Sequence, residues 1–344
     1  MNILILGDCS ANTIQAQNRN AKSWTYYLAS PERNISIFCK GNNPDVRMLN
    51  DNINVIYISK VSKIFNLITI LKHLFSKKYD IILNANPRKL DALFLIFKQI
   101  LHLKGKYIMY VVNILPYNNC PQQTIIFKLA NLIIANSQAG ADSFQKVYGD
   151  KIKVINNFMD TNYFKPIDKT YFKLKKIVCV GTLRKEKQPE LFLEIAKNFP
   201  TMAFDWIGEG RLRKKLEGMI RNKSITNVNL LNKISQKELA NKLPQYDLFV
   251  FPSKMEGFPN VVVEAMACGL PAIVFDVYGP EAVINGESGF VVNKIEEMIE
   301  KIKLLQQNSD LLEIMSNKAR ERAMVYDGTV NSGKLINTIN NALK

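Results

Sequence analysis

Short runs of β-branched and other apolar residues alternate with longer amphipathic segments along the whole chain. The short runs predict buried strands, and the amphipathic segments predict the helices that connect them. In the first half the predicted strands are 2–6, 35–39, 54–58, 80–84, 107–112, 132–135 and 153–155. In the second half they are 176–180, 203–207, 228–231, 248–251, 271–275 and 289–292. Strands that alternate with helices in this way indicate an α/β fold with parallel sheets.

A break in this pattern predicts two domains. Residues 157–176 lack both helical and strand periodicity and contain Pro166, which is typical of a linker. At 344 residues and 47% hydrophobic composition, the chain is long enough for two cores. We therefore predict an N-terminal domain over 1–165, a second domain over 166–326 and a final helical segment over 327–344.

Two carboxylates placed around the start of one predicted helix are the most informative chemical feature. Glu256 lies in a Gly/Pro loop, and Glu264 lies in the helix that follows Pro259. The free N–H groups at a helix N-terminus form an anion site, whereas carboxylates accept hydrogen bonds from hydroxyl groups. This combination suits a sugar nucleotide, with the diphosphate between ribose and hexose. Two solvated surface glutamates are the alternative, and the carboxylates alone do not decide between the two interpretations.

The segment that contains these glutamates, EGFPNVVVEAMACGLPAI, resembles the signature of the retaining GT-B glycosyltransferases of the group 1 family (glycosyltransferase family 4), which carries Glu, seven residues and Glu. The matching segments follow in the family's order and cover about half the chain: 177–197, 204–217, 228–253, 253–274 and 279–292. The resemblance implies two doubly wound Rossmann-like domains that face each other across a cleft. It also implies that the last helix crosses back to the N-terminal domain.

The resemblance further implies where a nucleotide sugar would bind. Lys187 matches a family lysine on the diphosphate, and Lys187 and Glu256 are the predicted catalytic residues. Thr182 stands where the family usually has arginine, so Arg184 is expected to supply that charge. The residues predicted to bind the donor are Gly181, Thr182, Arg184, Lys187, Lys233, Ile234, Glu256, Gly257, Phe258, Pro259, Asn260, Val261 and Glu264.

The implied reaction transfers a hexose or N-acetylhexosamine from a nucleotide diphosphate sugar, with UDP favoured over GDP, to a lipid-linked or cell-surface polysaccharide acceptor. No cofactor and no metal are expected, because the chain has two histidines, no Cys-x-x-Cys pair and no Asp-x-Asp motif. In the first half Val112 replaces a histidine of many family members, and Phe158 replaces a glycine. The missing histidine at Val112 and the uncharged Thr182 keep a second hypothesis open, namely a non-catalytic GT-B subunit that binds a nucleotide sugar or a partner transferase.

The net charge of +16 is concentrated in one region. Residues 60–106 contain two acidic residues, Asp80 and Asp91, and ten basic ones: Lys60, Lys63, Lys72, Lys77, Lys78, Arg88, Lys89, Lys98, Lys104 and Lys106. Basic helices that also carry Phe and Leu predict an anionic membrane surface as partner. The alternative is two ordinary amphipathic helices on a sheet. Nucleic acid is not expected, because the sequence shows no zinc-finger spacing, no RNP-like strand and no Arg-rich arm.

Hydropathy and the first residues predict a location. No uninterrupted apolar run reaches the ~18 to 20 residues that span a bilayer. Met1 leads directly into a predicted strand, which leaves no room for a signal peptide. We expect a cytoplasmic protein that associates peripherally with the inner face of the plasma membrane.

Overall fold

The computed structural model describes residues 1–10, 16–45, 48–76, 78–84, 89–111, 121–168, 173–276 and 280–343. The chain forms two compact units. The first contains Met1–Phe158 and Gly328–Lys344, and the second contains Met159–Asp327. Each unit has its own parallel sheet and its own hydrophobic core.

The sheet of the first unit has seven parallel strands in the order β3-β2-β1-β4-β5-β6-β7. Its strands are β1 (Asn2–Asp8), β2 (Asn34–Lys40), β3 (Ile53–Ile58), β4 (Ile81–Asn84), β5 (Lys106–Val111), β6 (Leu132–Ala135) and β7 (Ile152–Val154). The direction in which strands are added reverses between β1 and β4. This reversal is the mark of a doubly wound sheet with helices on both faces.

The sheet of the second unit has six parallel strands in the order β10-β9-β8-β11-β12-β13. Its strands are β8 (Lys176–Val180), β9 (Ala203–Ile207), β10 (Val228–Leu231), β11 (Leu248–Phe251), β12 (Ala272–Phe275) and β13 (Gly289–Val292). Here the reversal lies between β8 and β11. The loops that follow these two strands therefore leave the sheet side by side.

The α-helices cover both faces of the two sheets. They are α1 (Ala16–Leu28), α2 (Lys63–Leu74), α3 (Lys89–Ile100), α4 (Pro121–Leu129), α5 (Gln138–Tyr148), α6 (Pro189–Lys197), α7 (Arg213–Asn222), α8 (Gln236–Lys242), α9 (Asn260–Ala267), α10 (Ile295–Gln307), α11 (Ser309–Met324) and α12 (Gly328–Leu343). In the first unit, α1 and α12 supply Trp24 and Leu335 to the core on one face. On the opposite face α2 to α5 supply the buried residues Leu74, Phe94, Phe127 and Phe144.

The α/β class that periodicity predicts is confirmed, and each predicted strand is present to within about two residues at its ends. Central strands such as β5 and β11 were recognisable because they are buried on both faces and read as short apolar runs. In the described part of the chain, no helix is long and apolar enough to cross a membrane.

The boundary between the units lies at 158/159 instead of the predicted 165/166. The residues after Phe158 lack periodicity, but they pack against the second unit and do not form a free linker. Met159 and Phe164 are buried in the core of the second unit. The Met159 N–H donates to the Tyr326 carbonyl at 3.0 Å, and the Thr161 hydroxyl donates to the Asp327 carboxylate at 2.6 Å. Residues 328–344 return to the first unit.

Arg320 on α11 fastens this aperiodic segment to the second unit. Its Nη1 lies 3.0 Å from the Thr161 carbonyl oxygen, 2.9 Å from that of Phe164 and 2.7 Å from that of Ala267. We expect Arg320→Met to lower the free energy of unfolding by about 2 to 3 kcal/mol, because buried carbonyls lose a charged donor. Urea denaturation would measure this loss. Lys318→Met, an exposed change on the same helix, should alter it by less than about 0.5 kcal/mol, and equal losses in both variants would contradict the role of Arg320.

Candidate active site

The two loops at the reversal of the second sheet carry the charged residues that the sequence singled out. In open parallel sheets, ligands bind beyond the carboxyl ends of the strands at this reversal. The loop after β8 contains Lys187 within a short 3₁₀ turn, Lys185–Lys187. The loop after β11 contains Glu256. The strand order places the two loops next to each other, although 69 positions separate the two residues.

Lys187 and Glu256 form an ion pair. The Lys187 Nζ donates to Glu256 Oε1, and the side chains are 22% and 16% exposed. The same ammonium lies 5.0 Å from the centroid of the Phe251 ring, at the end of β11. An ammonium held over an aromatic face and paired with a carboxylate has a fixed position. The arrangement offers a cation and a hydrogen-bond acceptor at one point on the sheet edge.

Ser253 fixes the carboxylate from the other side. The buried Ser253 Oγ donates to Glu256 Oε1 at 2.7 Å. The Lys254 N–H donates to the Glu186 carbonyl at 2.8 Å, which ties the loop after β11 to the loop after β8. The hydrogen bond from Ser253 has a charged acceptor, the Glu256 carboxylate. A bond of this kind contributes about 1.5 to 3 kcal/mol when partly buried. The ion pair is therefore positioned by its surroundings and not by its own attraction alone.

Glycines let a third loop pack against the loop after β8. A Cβ atom on Gly208 would lie 1.9 Å from the Gly181 carbonyl oxygen, and one on Gly210 would lie 2.4 Å from that of Leu183. The Trp206 indole N–H also donates to the Gly181 carbonyl at 2.9 Å. Only glycine allows this approach of backbone to backbone, which holds Gly181 in place below Lys187.

Glu264 forms a second contact of the site, with Gln236. It sits on α9 and is 1% exposed. Gln236 Nε2, at the start of α8, lies 3.4 Å from its Oε1. The start of α8 is itself fixed by a capping box between Ser235 and Glu238. Lys233 and Ile234, which are predicted to bind the donor, come just before this cap, so the loop that carries them is held close to Glu264.

The remaining predicted residues surround these two contacts. Thr182, Arg184 and Lys233 are exposed, whereas Gly181, Ile234, Gly257, Asn260 and Val261 are half-buried. Pro259 is the N-cap of α9, which begins at Asn260. The Phe258 ring is buried and lies 5.2 Å from that of Tyr326. Phe258 is thus a packing residue, although its backbone remains at the helix start.

The sequence pattern did not single out four residues that support the site: Ser253, Phe251, Gln236 and Arg213. Arg213 on α7 donates to the carbonyls of Gly208, Leu230 and Leu231 at 2.9 to 3.0 Å, at the carboxyl ends of β9 and β10. Only Phe251 and Ser253 had a usable signal, because Phe251 ends the strand before Glu256 and Ser253 lies in the loop that follows that strand. Two positions of the first half depart from the family pattern, and one of them, Val112, lies outside the described residues. Phe158 is buried, with its ring 6.4 Å from that of Trp24.

Two buried thiols lie in the elements that carry the site. Burial, with a smaller contribution from Glu256, raises the pKa of Cys179 on β8 well above its usual value. Burial, with a smaller contribution from Glu264, raises the pKa of Cys268 at the end of α9 to about 12. Both thiols stay protonated at neutral pH and are poor nucleophiles. Among the described residues, no group of His, Cys, Asp and Glu side chains is arranged to hold a metal ion.

Solved structures share the architecture of both units. A crystal structure of Anabaena HepE in complex with UDP superposes with a TM-score of 0.79 at 19% identity, covering 99% of this chain and 100% of HepE. The lipopolysaccharide outer core galactosyltransferase WaaB gives a TM-score of 0.71 at 15% identity, covering 99% of each chain. At these identities the likeness establishes the fold, which is the GT-B fold of glycosyltransferases.

The family model described as "Glycosyl transferases group 1" matches residues 164–322. These residues fall inside the second unit and make up less than half of the chain. The family match therefore concerns the second unit, and the structural likeness concerns the fold of both units.

Curated relatives extend the similarity to the first unit. An Escherichia coli UDP-Gal:alpha-D-GlcNAc-diphosphoundecaprenol alpha-1,3-galactosyltransferase is 25% identical over 338 residues, covering 86% of this chain and 85% of its own. A Campylobacter jejuni N-acetylgalactosaminyltransferase that acts on a diphospho-undecaprenol-linked sugar is 25% identical over 218 residues. That match covers 59% of this chain and 58% of the relative. An uncharacterized glycosyltransferase of Methanocaldococcus jannaschii is 32% identical, with 41% of each chain covered.

The raised pKa of Cys268 predicts a dependence of stability on pH. Below its ordinary pKa of 9.0 the thiol is protonated in both states. Between pH 9 and about 12 only the unfolded chain loses the proton, so the free energy of unfolding falls as pH rises. Cys268→Ala should remove up to about 1.4 kcal/mol per pH unit from this slope, measured by urea denaturation. Val263→Ala, a buried change on the same helix, should leave the slope unchanged, and a wild-type slope in Cys268→Ala would contradict the prediction.

Proposed function

We propose that this protein is a glycosyltransferase that moves a hexose or N-acetylhexosamine from a nucleotide diphosphate sugar to an acceptor hydroxyl, with retention of the anomeric configuration. UDP is the favoured nucleotide. The observation that carries the proposal is the Lys187–Glu256 pair at the sheet reversal of a group 1 family domain.

The chemical task explains why a fixed cation is needed. When the anomeric C–O bond breaks, its electron pair goes to the diphosphate, and the sugar becomes oxocarbenium-like. The acceptor oxygen then forms the new bond to the anomeric carbon, and its proton passes to an oxygen of the released diphosphate. Lys187, with Arg184 nearby in sequence, would stabilise the charge that grows on the diphosphate. This route assigns the charge stabilisation to side chains and needs no metal.

The glutamates would orient the sugars at the two ends of the donor. Glu256 would accept hydrogen bonds from hydroxyl groups of the transferred sugar, next to the cation that binds the diphosphate. Glu264 would accept hydrogen bonds from the ribose, beside the loop of Lys233 and Ile234. The start of α9, with the N–H groups of residues 258–261, would face the diphosphate between them. Its polarity favours a negative group there.

The names of two relatives support the proposed acceptor. The Escherichia coli and Campylobacter enzymes act on sugars attached to undecaprenyl diphosphate. We extend this chemistry to the present chain and propose a lipid-linked or polysaccharide acceptor bound by the first unit. An enzyme with such an acceptor would work in the cytoplasm, at the inner face of the plasma membrane.

A non-catalytic nucleotide-sugar-binding subunit is the second candidate. Thr182, where the family usually has arginine, favours it, since its exposed side chain carries no charge for the diphosphate. The two candidates differ in turnover and not in binding. UDP would raise the melting temperature in both cases, because a ligand that binds only the folded state stabilises it.

A paired substitution in the loop after β8 tests the assignment of Lys187. We expect Lys187→Met to lower transfer or donor hydrolysis with UDP-galactose by about 100-fold, because the developing diphosphate charge loses its cation. Lys185→Met, an exposed cation two residues away, is the matched control and should change turnover by less than about threefold. Undiminished turnover in Lys187→Met would refute the role of Lys187.

A binding measurement on the same proteins separates the two candidates. UDP stabilisation of the wild-type protein without turnover of any UDP sugar, with undecaprenyl diphosphate sugars offered as acceptors, would select the non-catalytic subunit. Anomeric assignment of a product by NMR would test retention. Stronger stabilisation by GDP than by UDP would overturn the nucleotide preference.

A further inference from the structure

The first half of α2 presents large apolar side chains to solvent. Ile64 is 74% exposed, Phe65 55% and Ile68 60%. Val61, just before the helix, is 90% exposed. Ordinary amphipathic helices on a sheet turn such residues inward, so this arrangement differs from the simple covering helix that was the alternative interpretation of the sequence.

The exposure results from how α2 is anchored. Its second half reaches the core, where Leu74 is buried and Ile70 packs against the cluster, as does Phe75 just after the helix. The exposed end is nonetheless well formed. The Ser59 N–H donates to Asn66 Oδ1 at 2.7 Å, and Asn66 Nδ2 donates to the Ser59 carbonyl at 2.8 Å. The Ser62 hydroxyl caps the first turn. The apolar residues are thus carried on an ordered helix.

The neighbouring helix α3 has the same character at its end. Phe97 is 49% exposed, Ile100 64% and Leu101 55%. The two helices lie on the same side of the sheet, where the Phe75 and Phe94 rings are 5.7 Å apart. We name the set Ile64, Phe65, Ile68, Phe97, Ile100 and Leu101 the α2–α3 face.

Exposed cations outnumber exposed acids in the region of the α2–α3 face. Lys60, Lys72, Lys78 and Lys104 are exposed. Of the two acidic residues in 60–106, Asp91 is buried and accepts a hydrogen bond from Asn84 at 2.8 Å. The other, Asp80, is exposed and accepts the Asn2 N–H at 2.8 Å. Two copies of so basic a surface would repel each other, whereas an anionic surface would attract both the cations and the apolar groups.

We propose that the α2–α3 face inserts into the boundary between headgroups and acyl chains of a bilayer of anionic phospholipids. Interfacial helices of this type enter about 5 to 10 Å, with lysines at the headgroups. The inference goes beyond the proposed transfer reaction and rests on it only for the choice of a membrane as the relevant surface. It states that apolar insertion, and not charge alone, holds the protein there.

Co-sedimentation with vesicles of phosphatidylcholine and phosphatidylglycerol tests the surface without donor or acceptor present. We expect Ile68→Ser to weaken binding about tenfold, because a large apolar side chain no longer leaves water. The matched control is Ile314→Ser on α11, since Ile314 is 57% exposed and Ile68 60%. Lys72→Glu should weaken binding at low salt about fivefold or more, whereas Lys303→Glu on α10 should not.

A tryptophan introduced on the α2–α3 face reports insertion directly. The natural tryptophans, Trp24 and Trp206, are 1% and 0% exposed, so they leave a low background for external quenchers. In Phe65→Trp, brominated phospholipids should quench the new emission, and anionic vesicles without bromine should shift it to the blue. Added salt should reduce binding without abolishing it, because the apolar contribution is not screened.

Three outcomes would overturn the proposal. The first is equal loss of vesicle binding in Ile68→Ser and Ile314→Ser. The second is vesicle binding of Phe65→Trp that leaves the introduced tryptophan unquenched and disappears in salt, which shows attraction by charge only. The third is a wild-type dimer in light scattering that Ile68→Ser dissociates, which assigns the face to a second copy. None of these depends on turnover, so the transfer reaction can stand or fall separately.

Discussion

The order of strands in the second unit is the constraint on which the candidate site depends. Because strands are added in opposite directions from β8 and β11, the loops after them leave the same sheet edge side by side. Lys187 and Glu256 meet there, and the Ser253 hydroxyl and the Phe251 ring hold them. An ammonium in such a position is preorganised, so little reorganisation is needed when an anionic group arrives.

The Lys187–Glu256 ion pair also affects how a ligand would bind. A diphosphate that approaches Lys187 competes with the Glu256 carboxylate for the same ammonium protons. A sugar hydroxyl that donates to Glu256 would replace the hydrogen bond that the carboxylate loses from Lys187. In the proposed complex, diphosphate and sugar would be recognised together, and a ligand with only one of the two groups would leave one partner less satisfied. This coupling would favour an intact nucleotide sugar over its separate parts.

The two units differ in where they place their charged and apolar side chains. The second unit holds Lys187 and Glu256 in an ion pair beside a single large core. The first unit has a core on each face of its sheet and leaves an ordered, basic and apolar surface on α2 and α3. If that surface meets a bilayer, the protein would reach a lipid-linked acceptor by two-dimensional search, while the soluble donor arrives from the surrounding water.

The sequence by itself determined the α/β class and the positions of the strands, because burial and spacing are local properties of the chain. It also singled out Lys187, Glu256 and Glu264 as candidate site residues. It placed the boundary between the two units at 165/166 instead of 158/159. Phe164 belongs to the core of the second unit, but no periodic signal in the sequence indicates this. Only the tertiary structure decided that Lys187 contacts Glu256 while Glu264 contacts Gln236. The physical reason is that such contacts depend on the order of strands in the sheet, and no single segment carries that order.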